Sequence, residues 1–311
     1  MSERVAGETV LVTGGAGFIG RHLVDALVDE NDVRVLDSGA SGEPSRLPDS
    51  VEFVEGDVRD AGVVADAMAG VDVVFHEAAV VSVSESVDAP AETNAVNLTG
   101  TLNVLEAARS VGSRVVFASS AAIYGRPESV PVAETDETRP LSPYGVQKLI
   151  ADHYVRLYHD LYGLDTVALR YFNVFGPGQR GGDYSGVITA FVDRALAGDP
   201  LRIDGDGGQT RDFVHVEDVV QANLRAATTD AVGEAYNVGT GSSVTIRELA
   251  ETVVDVTDAD VAIEHGPART GDIRESLADV SKARERLGYE PTVALRDGLD
   301  DFVTSRRGGD E

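Results

Sequence analysis

The sequence predicts an α/β protein, a doubly wound parallel sheet followed by a smaller C-terminal α/β unit. Three observations predict it. Short β-branched runs alternate with longer helical patterns through the first half, the signature of parallel strands with crossover helices. A glycine-rich turn, Gly14 to Gly20, joins the first such run to the first helical pattern. Beyond about Phe175 the alternation loosens into glycine-punctuated turns. The chain has 311 residues, 42% of them hydrophobic, which is enough apolar material for a large core.

In order, Thr9 to Thr13, Val33 to Leu36, Val51 to Glu55, Val71 to Phe75, Arg114 to Ala118 and Thr166 to Leu169 read as strands. Between them Phe18 to Val28, Gly62 to Met68, Pro90 to Ser110 and Pro143 to Tyr162 read as helices. Six strands with right-handed crossovers fit one sheet. Past residue 175, Gly176-Pro177-Gly178, Gly181-Gly182 and Gly205-Asp206-Gly207-Gly208 mark turns. Residues 1–175 are therefore expected to form a nucleotide-binding domain and 176–311 mainly a substrate domain. The chain has room to cross back near 213–240, where Ala235 to Val238 could rejoin the large sheet. Arg306 to Glu311 is expected to be a frayed tail.

Gly14, Gly17 and Gly20 follow the first strand and open the first helix, where they permit a tight turn, close approach to a pyrophosphate and close helix packing. That context makes the domain a Rossmann-type dinucleotide binder. Asp37 ends the second strand, at the distance expected for the acid that holds the adenine-ribose hydroxyls. A carboxylate there repels a 2′-phosphate, so NAD is favoured over NADP. Asp57, Ala78 and Ala79 stand at strand C-termini, where the ligand crevice of such a sheet lies, although each alone could be a turn residue or a cap.

Tyr144 and Lys148 sit four apart in a helical pattern and so share a face. An ammonium beside a phenol lowers the phenol's pKa toward that of a general base. Ser120, at the end of the fifth strand, can donate to the same substrate oxygen. A Tyr-x-x-x-Lys spacing alone is as often a helix-surface pair; three elements in the right order shift that balance.

With these residues the chain resembles the extended short-chain dehydrogenase/reductase superfamily, and within it the nucleotide-sugar epimerases typified by UDP-glucose 4-epimerase. The resemblance spans essentially the whole chain. Its motifs are Thr13 to Gly20, Gly56-Asp57-Val58-Arg59-Asp60, His76-Glu77-Ala78-Ala79, Ser119 to Gly125, Tyr144 to Lys148, Leu169 to Pro177, Gln209 to His215 and Tyr236 to Gly239. It implies a tightly held NAD bound by Gly14, Gly17, Phe18, Ile19, Gly20, Asp37, Asp57, Val58, Ala78, Ala79, Asn97, Ser119, Tyr144, Lys148 and Tyr171. It also implies a catalytic set of Ser120, Tyr144 and Lys148. Tyr144 would take the proton of the sugar 4-hydroxyl, Ser120 would share the hydrogen bonds at that oxygen, and Lys148 would bind the nicotinamide ribose and tune Tyr144. Asn173 would contact the diphosphate-sugar, and Arg211 and Arg269 would grip the phosphates through their planar forks. A bland reading pairs Arg211 with Asp212 or Glu217 instead. The resemblance further implies a homodimer packed through the helices around Thr93 to Ser110 and Tyr144 to Tyr162; an apolar stripe facing the chain's own sheet would look the same.

Departures from sister enzymes narrow the reaction. The resembling 4,6-dehydratases follow the catalytic Thr with an Asp-Glu pair, and UDP-glucuronate decarboxylases have Glu where Ala122 stands. Ser120-Ala121-Ala122 offers only methyl groups, which carry no proton. Epimerase-reductases use a Cys and His pair, and the chain has no cysteine. Ser276 falls where a large aromatic would exclude N-acetylated sugars, so UDP-N-acetylglucosamine is expected to be tolerated beside UDP-glucose. Arg180 and Arg274 are candidate partners for a uronate carboxylate, or solvated surface charges. A non-catalytic NAD-binding scaffold is the remaining alternative, disfavoured because it has no use for a tuned phenol. The histidines lack zinc-like spacing, so no metal is expected.

Without cysteine there is no disulfide or thiolate chemistry, and neither a signal-peptide core nor a membrane-length apolar run is visible, so a cytoplasmic setting is expected. The formal net charge of -27 repels nucleic acid and anionic membranes. Lys148 and Lys282 are the only lysines. An acidic surface with scarce lysine fits a protein adapted to concentrated salt, where screening is short-ranged; a mildly acidic surface with a compositional preference for arginine fits as well. Under the first reading, dialysis to low salt is expected to unfold the protein by circular dichroism; unchanged melting from dilute buffer to molar salt would sink it.

Overall fold

The computed structural model describes residues 4–180, 186–269 and 271–308; the expected turn at Gly181-Gly182 and residues 309–311 lie outside the described residues. Strand β1 (Thr9–Thr13) leads into α1 (Phe18–Leu27), β2 (Asp32–Asp37), β3 (Glu52–Glu55), α2 (Ala61–Ala67) and β4 (Val73–His76). Then come α3 (Val83–Asp88), α4 (Pro90–Asn94), a wide π turn over Ala95–Gly100, α5 (Thr101–Val111), β5 (Arg114–Ser120), α6 (Pro143–Tyr162) and β6 (Thr166–Tyr171). The remainder runs β7 (Asn173–Phe175), α7 (Val187–Ala197), β8 (Leu201–Asp204), β9 (Thr210–Arg211), β10 (Phe213–His215), α8 (Val216–Thr228) and β11 (Glu234–Val238). It ends with β12 (Val244–Thr245), α9 (Ile246–Thr257), β13 (Ile263–Gly266), α10 (Ser281–Leu287) and α11 (Leu295–Gly308).

Seven strands form one parallel sheet in the order β11-β6-β5-β4-β1-β2-β3. β4 and β6 are buried along their whole length, which is why they read as unbroken apolar runs rather than alternating ones. One face is covered by α1, α8 and α10, the other by α2, α5 and α6, giving two apolar layers centred on residues such as Leu23, Val35 and Phe75 and on Leu36, Met68 and Phe117. Each fully buried Leu, Val or Phe in these layers contributes about 1.5–3 kcal/mol. Strand order reverses between β1 and β4, and a sheet of this kind binds ligands at the carboxyl ends of the strands flanking that point.

The chain beyond Phe175 divides its residues between the sheet and a second core. β10 pairs with β7, α8 packs on β5 and β6, and β11 joins the sheet edge beside β6. The second core gathers Phe191, Ile203, Leu249 and Phe302 from α7, β8, α9 and α11.

Two expectations need correction. The stretch Pro90 to Ser110 is not one helix: α4 and α5 are joined by the π turn, and α5 itself runs on to Val111. Apolar spacing survives the insertion of one wide turn, so periodicity alone hides it. The tail from Arg306 is not frayed at its start, because Arg306 to Gly308 complete α11. Arg306 Nη2 donates to Gln179 O at 2.8 Å and Arg307 Nη2 to Thr257 O at 2.7 Å, contacts made with segments distant in sequence.

Candidate active site

Helix α6 carries Tyr144 and Lys148, and its ends are firmly set. Ser142 caps it by accepting from Gly145 N at 3.1 Å, Pro143 occupies the first turn, and Gly163 closes it at φ 67°. Its buried face holds Tyr144, Gln147, Lys148, Ala151 and Asp152. Asp152 fixes that face against the sheet: its carboxylate accepts from Ser119 Oγ at 2.8 Å, from Arg170 Nε at 3.0 Å and Nη2 at 3.1 Å, and from Arg156 Nε at 3.0 Å. The arginines hold its carboxyl below the usual carboxylate range against the cost of burial.

A cavity of ≈ 770 Å³ opens at the carboxyl ends of the strands. Ser120, Tyr144 and Lys148 all line it, together with Gly14, Gly17, Phe18, Ile19, Gly20, Asp37, Asp57, Val58, Ala78, Ala79, Ser119 and Tyr171. The residues fit a dinucleotide. No side chain caps the N-terminus of α1, so its first N–H groups are left for an anion. Gly14 has φ +71°, and a Cβ there would lie 2.7 Å from Ala78 N; a Cβ on Gly20 would lie 2.2 Å from Gly14 O. Asp37 is oriented by Ala16 N at 3.0 Å and Gly39 N at 2.8 Å, which leaves its carboxylate for a ribose. Asp57 accepts from the Arg59 backbone and guanidinium, which hold its carboxyl low.

Asn97 is placed differently. It is buried in the π turn and does not line the cavity; it accepts from Val80 N at 2.8 Å and donates to Val80 O at 2.9 Å and Gln147 Oε1 at 2.8 Å. It clamps the segment after β4 to α6. Of the side chains expected to meet a substrate, Ser120 and Tyr144 line this cavity, whereas Asn173, Arg211, Arg269 and Ser276 do not. The latter gather around β9, where Asn173 N and Nδ2 both donate to Asp212 O and Arg211 is ion-paired with Asp272, neither Asp212 nor Glu217 being its partner. The buried Asp212 carboxylate organises this corner by accepting from Thr240 N and Oγ1, Gly241 N and Ala278 N. Ser276 is buried two residues before Ala278, and Arg269 is exposed. Arg274 pairs with Asp206, and Arg180 with Glu43 while donating to Ser41 O across the mouth of the cavity.

The expected effect of Lys148 on Tyr144 is not what the structure shows. Lys148 Nζ turns to the strand, donating to Ala118 O at 2.7 Å and lying 4.9 Å from the centre of the Phe117 ring. Burial pushes the Tyr144 phenol up, a hydrogen bond with Ser120 pulls it down, and the Glu77 carboxylate pushes it up further. Burial brings Lys148 down to about 8, opposed by Glu77. Glu77 is the residue that sequence reasoning passed over. It lines the cavity, accepts from Tyr171 Oη at 2.8 Å and is raised to about 7 by burial. Its one signal was an acid inside the otherwise neutral run His76 to Ala79. The neighbouring His76, held between Thr13 Oγ1 and Thr101 Oγ1, is driven by burial to about 3 and is neutral.

Comparison with known proteins follows the same lines. The family described as NAD dependent epimerase/dehydratase matches residues 10–239. The UDP-glucose 4-epimerase of Mycolicibacterium smegmatis is 41% identical over 300 residues, covering 93% of this chain and 95% of the relative. A UDP-N-acetylglucosamine 4-epimerase from Methanobrevibacter ruminantium, solved with UDP-N-acetylmuramic acid, is 37% identical with a TM-score of 0.94, covering 98% of this chain and 99% of that one. A Thermus thermophilus UDP-glucose 4-epimerase solved with NAD is 39% identical with a TM-score of 0.89, covering 97% and 99%.

The glycine turn yields a direct expectation. Gly14→Ala should destabilise the fold by about 1–3 kcal/mol, because the residue has left-handed φ and no space for Cβ. The same shift, transmitted to the α1 N-terminus, should weaken NAD binding at least about tenfold in a calorimetric titration. An unchanged titration would remove this turn from the cofactor site.

Proposed function

We propose, from the premise that this chain belongs to the NAD-dependent epimerase/dehydratase family and uses NAD, that it is a UDP-sugar 4-epimerase acting on UDP-glucose and UDP-galactose and on their N-acetylated counterparts. The observation that carries the reading is the short turn Ala121–Ile123 after Ser120, which presents methyl groups where the sister dehydratases and decarboxylases need an acid. Elimination and decarboxylation then lack their proton carrier, while proton exchange at a sugar hydroxyl does not.

Bound NAD supplies reversible hydride acceptance. Tyr144, at the mouth of α6, takes up and returns the proton of the sugar 4-hydroxyl, and Ser120 supports that oxygen from the end of β5. Lys148, anchored on Ala118 O, holds positive charge beneath the site and grips the nicotinamide ribose. Asn97 and Asp152 act through position, since one clamps the segment after β4 and the other seats α6. Around β9, Asn173, Arg211 and Arg269 receive the diphosphate-sugar, and Ser276 leaves room for an acetamido group. On this reading residues 1–175 chiefly hold the cofactor and 176–311 chiefly the substrate.

The test is NMR of separate reactions with UDP-glucose, UDP-N-acetylglucosamine and UDP-glucuronate and catalytic NAD. Growth of the 4-epimer to a fixed ratio is expected for the first two, falling at least about 100-fold in Tyr144→Phe. Ser276→Tyr should suppress the acetylated substrate and spare the plain hexose. No epimer from any of them would overturn the reading.

The exposed face of α6 supports a homodimer. Val146, Ile150, Leu157 and Leu161 form a stripe at helical spacing, 42%, 37%, 43% and 61% exposed. Leu157→Glu with Leu161→Glu is expected to convert a dimer to a monomer in sedimentation velocity; a wild-type protein that sediments as a monomer would refute the interface.

A further inference from the structure

We propose that Glu77 is a positioning residue of the reaction, the buried counter-charge that keeps the Lys148 ammonium protonated beside Tyr144. Glu77 follows β4 directly, and its N–H donates to Thr13 O at 3.0 Å, so the residue is fixed by the strand that ends at the switch point of the sheet. Its carboxylate is aimed by a relay from two other elements. Asn223 of α8, wholly buried, donates to Val219 O at 2.9 Å and to Tyr171 Oη at 2.8 Å; Tyr171 of β6 then donates to Glu77 Oε1 at 2.8 Å. A carboxylate that only filled space would not need two buried donors in series.

Lys148 has the complementary need. Its Nζ is buried, with Ala118 O as its hydrogen-bond partner and the Phe117 ring alongside, and among the described residues no carboxylate forms an ion pair with it. A buried ammonium in that setting sheds its proton unless an anion acts on it from a short distance. β4 and β5 pair in parallel at His76 and Phe117, so Glu77 stands beside Ala118, whose carbonyl holds Lys148 Nζ, and both side chains line the cavity. Asp152 on the same helix is taken up by Arg170 and Arg156; His76 of β4 is neutral between two threonines; Tyr144 and Tyr171 are phenols that burial keeps protonated. Glu77 is also the carboxylate whose field opposes the effect of burial on Lys148. The same field acts on Tyr144 in the opposite sense, disfavouring phenolate, so Glu77 ties the two members of the pair to one charge.

The composition of the chain makes this directly measurable, because Lys148 and Lys282 are its only lysines. Protein labelled with 13Cε-lysine gives two signals, and Lys282→Arg, at a half-exposed residue paired with Glu234, assigns them. Glu77→Gln keeps the shape and an acceptor for Tyr171 and removes the charge. The titration midpoint of Lys148 is expected to fall by at least about half a pH unit. A midpoint that does not move overturns the proposal and leaves Glu77 a brace for Tyr171. If the Gln variant does not fold, Tyr171→Phe removes the donor that favours the charged carboxylate and should move Lys148 in the same direction, with an unmoved midpoint again decisive. For the kinetics the inference rests on the epimerase reading: the alkaline limb of the rate profile should shift down together with the Lys148 midpoint. The NMR titration needs no turnover, so an inert wild-type protein would count against the epimerase reading alone, and an unmoved midpoint against Glu77 alone.

Discussion

The buried ion pair between Asp152 and Arg170 is the constraint on which the site depends. Asp152 is a wholly buried residue of α6, and Arg170 comes from β6. Charges so placed contribute only when every partner is in register, because the desolvation of each is repaid by geometry alone. Ser119 of β5 fills a further position on the carboxylate, so a strand on either side of the pair and the helix above it are held at one point. Lys148 and Tyr144 stand one and two turns earlier on that helix, and Ser120 is next to Ser119. An arrangement that needs sub-ångström placement of a phenol is thus hung from a contact that tolerates little error.

From that anchor the pocket is built by what surrounds it. Asn97, in the π turn, ties α6 through Gln147 to the segment after β4, and Tyr171, next in sequence to Arg170, reaches Glu77. The site is a small set of polar side chains pinned between apolar layers, each braced by a neighbour on another element. The Lys148 ammonium and the Glu77 carboxylate share this space without an ion pair, the first anchored on the Ala118 carbonyl and the second on the Tyr171 hydroxyl.

Much of this was legible in the sequence because local patterns encode it. Helix α6 carries Ser142, Pro143 and Gly163 at its ends, and each acts within a few residues of itself. Gly14, Asp37 and Ser120 lie at strand ends whose sheet position follows from the alternation alone. What was not legible depends on contacts between residues far apart in the chain. The direction of Lys148 is set by a carbonyl 30 residues earlier, so spacing put it beside the phenol while the fold points it at the strand. Glu77 acquires its role from Tyr171, 94 residues away, and Asn97 its own from Val80 and Gln147. The π turn escaped for a different reason, since one wide turn leaves the apolar spacing nearly unchanged.

Four of the guanidinium groups around β9 and the cavity mouth are already matched. Arg211 holds Asp272, Arg274 holds Asp206, Arg59 holds Asp57 and Arg180 holds Glu43. On a surface with so large an excess of acids, a vacant cation would soon find a carboxylate of its own. On the proposed reading, admission of a diphosphate at Arg211 would be an exchange of partners: the incoming oxygens would replace Asp272, and the displaced carboxylate would return to solvent. The protein's own aspartate would stand in for the ligand until it arrived, and binding would be a competition between two anions for one fork.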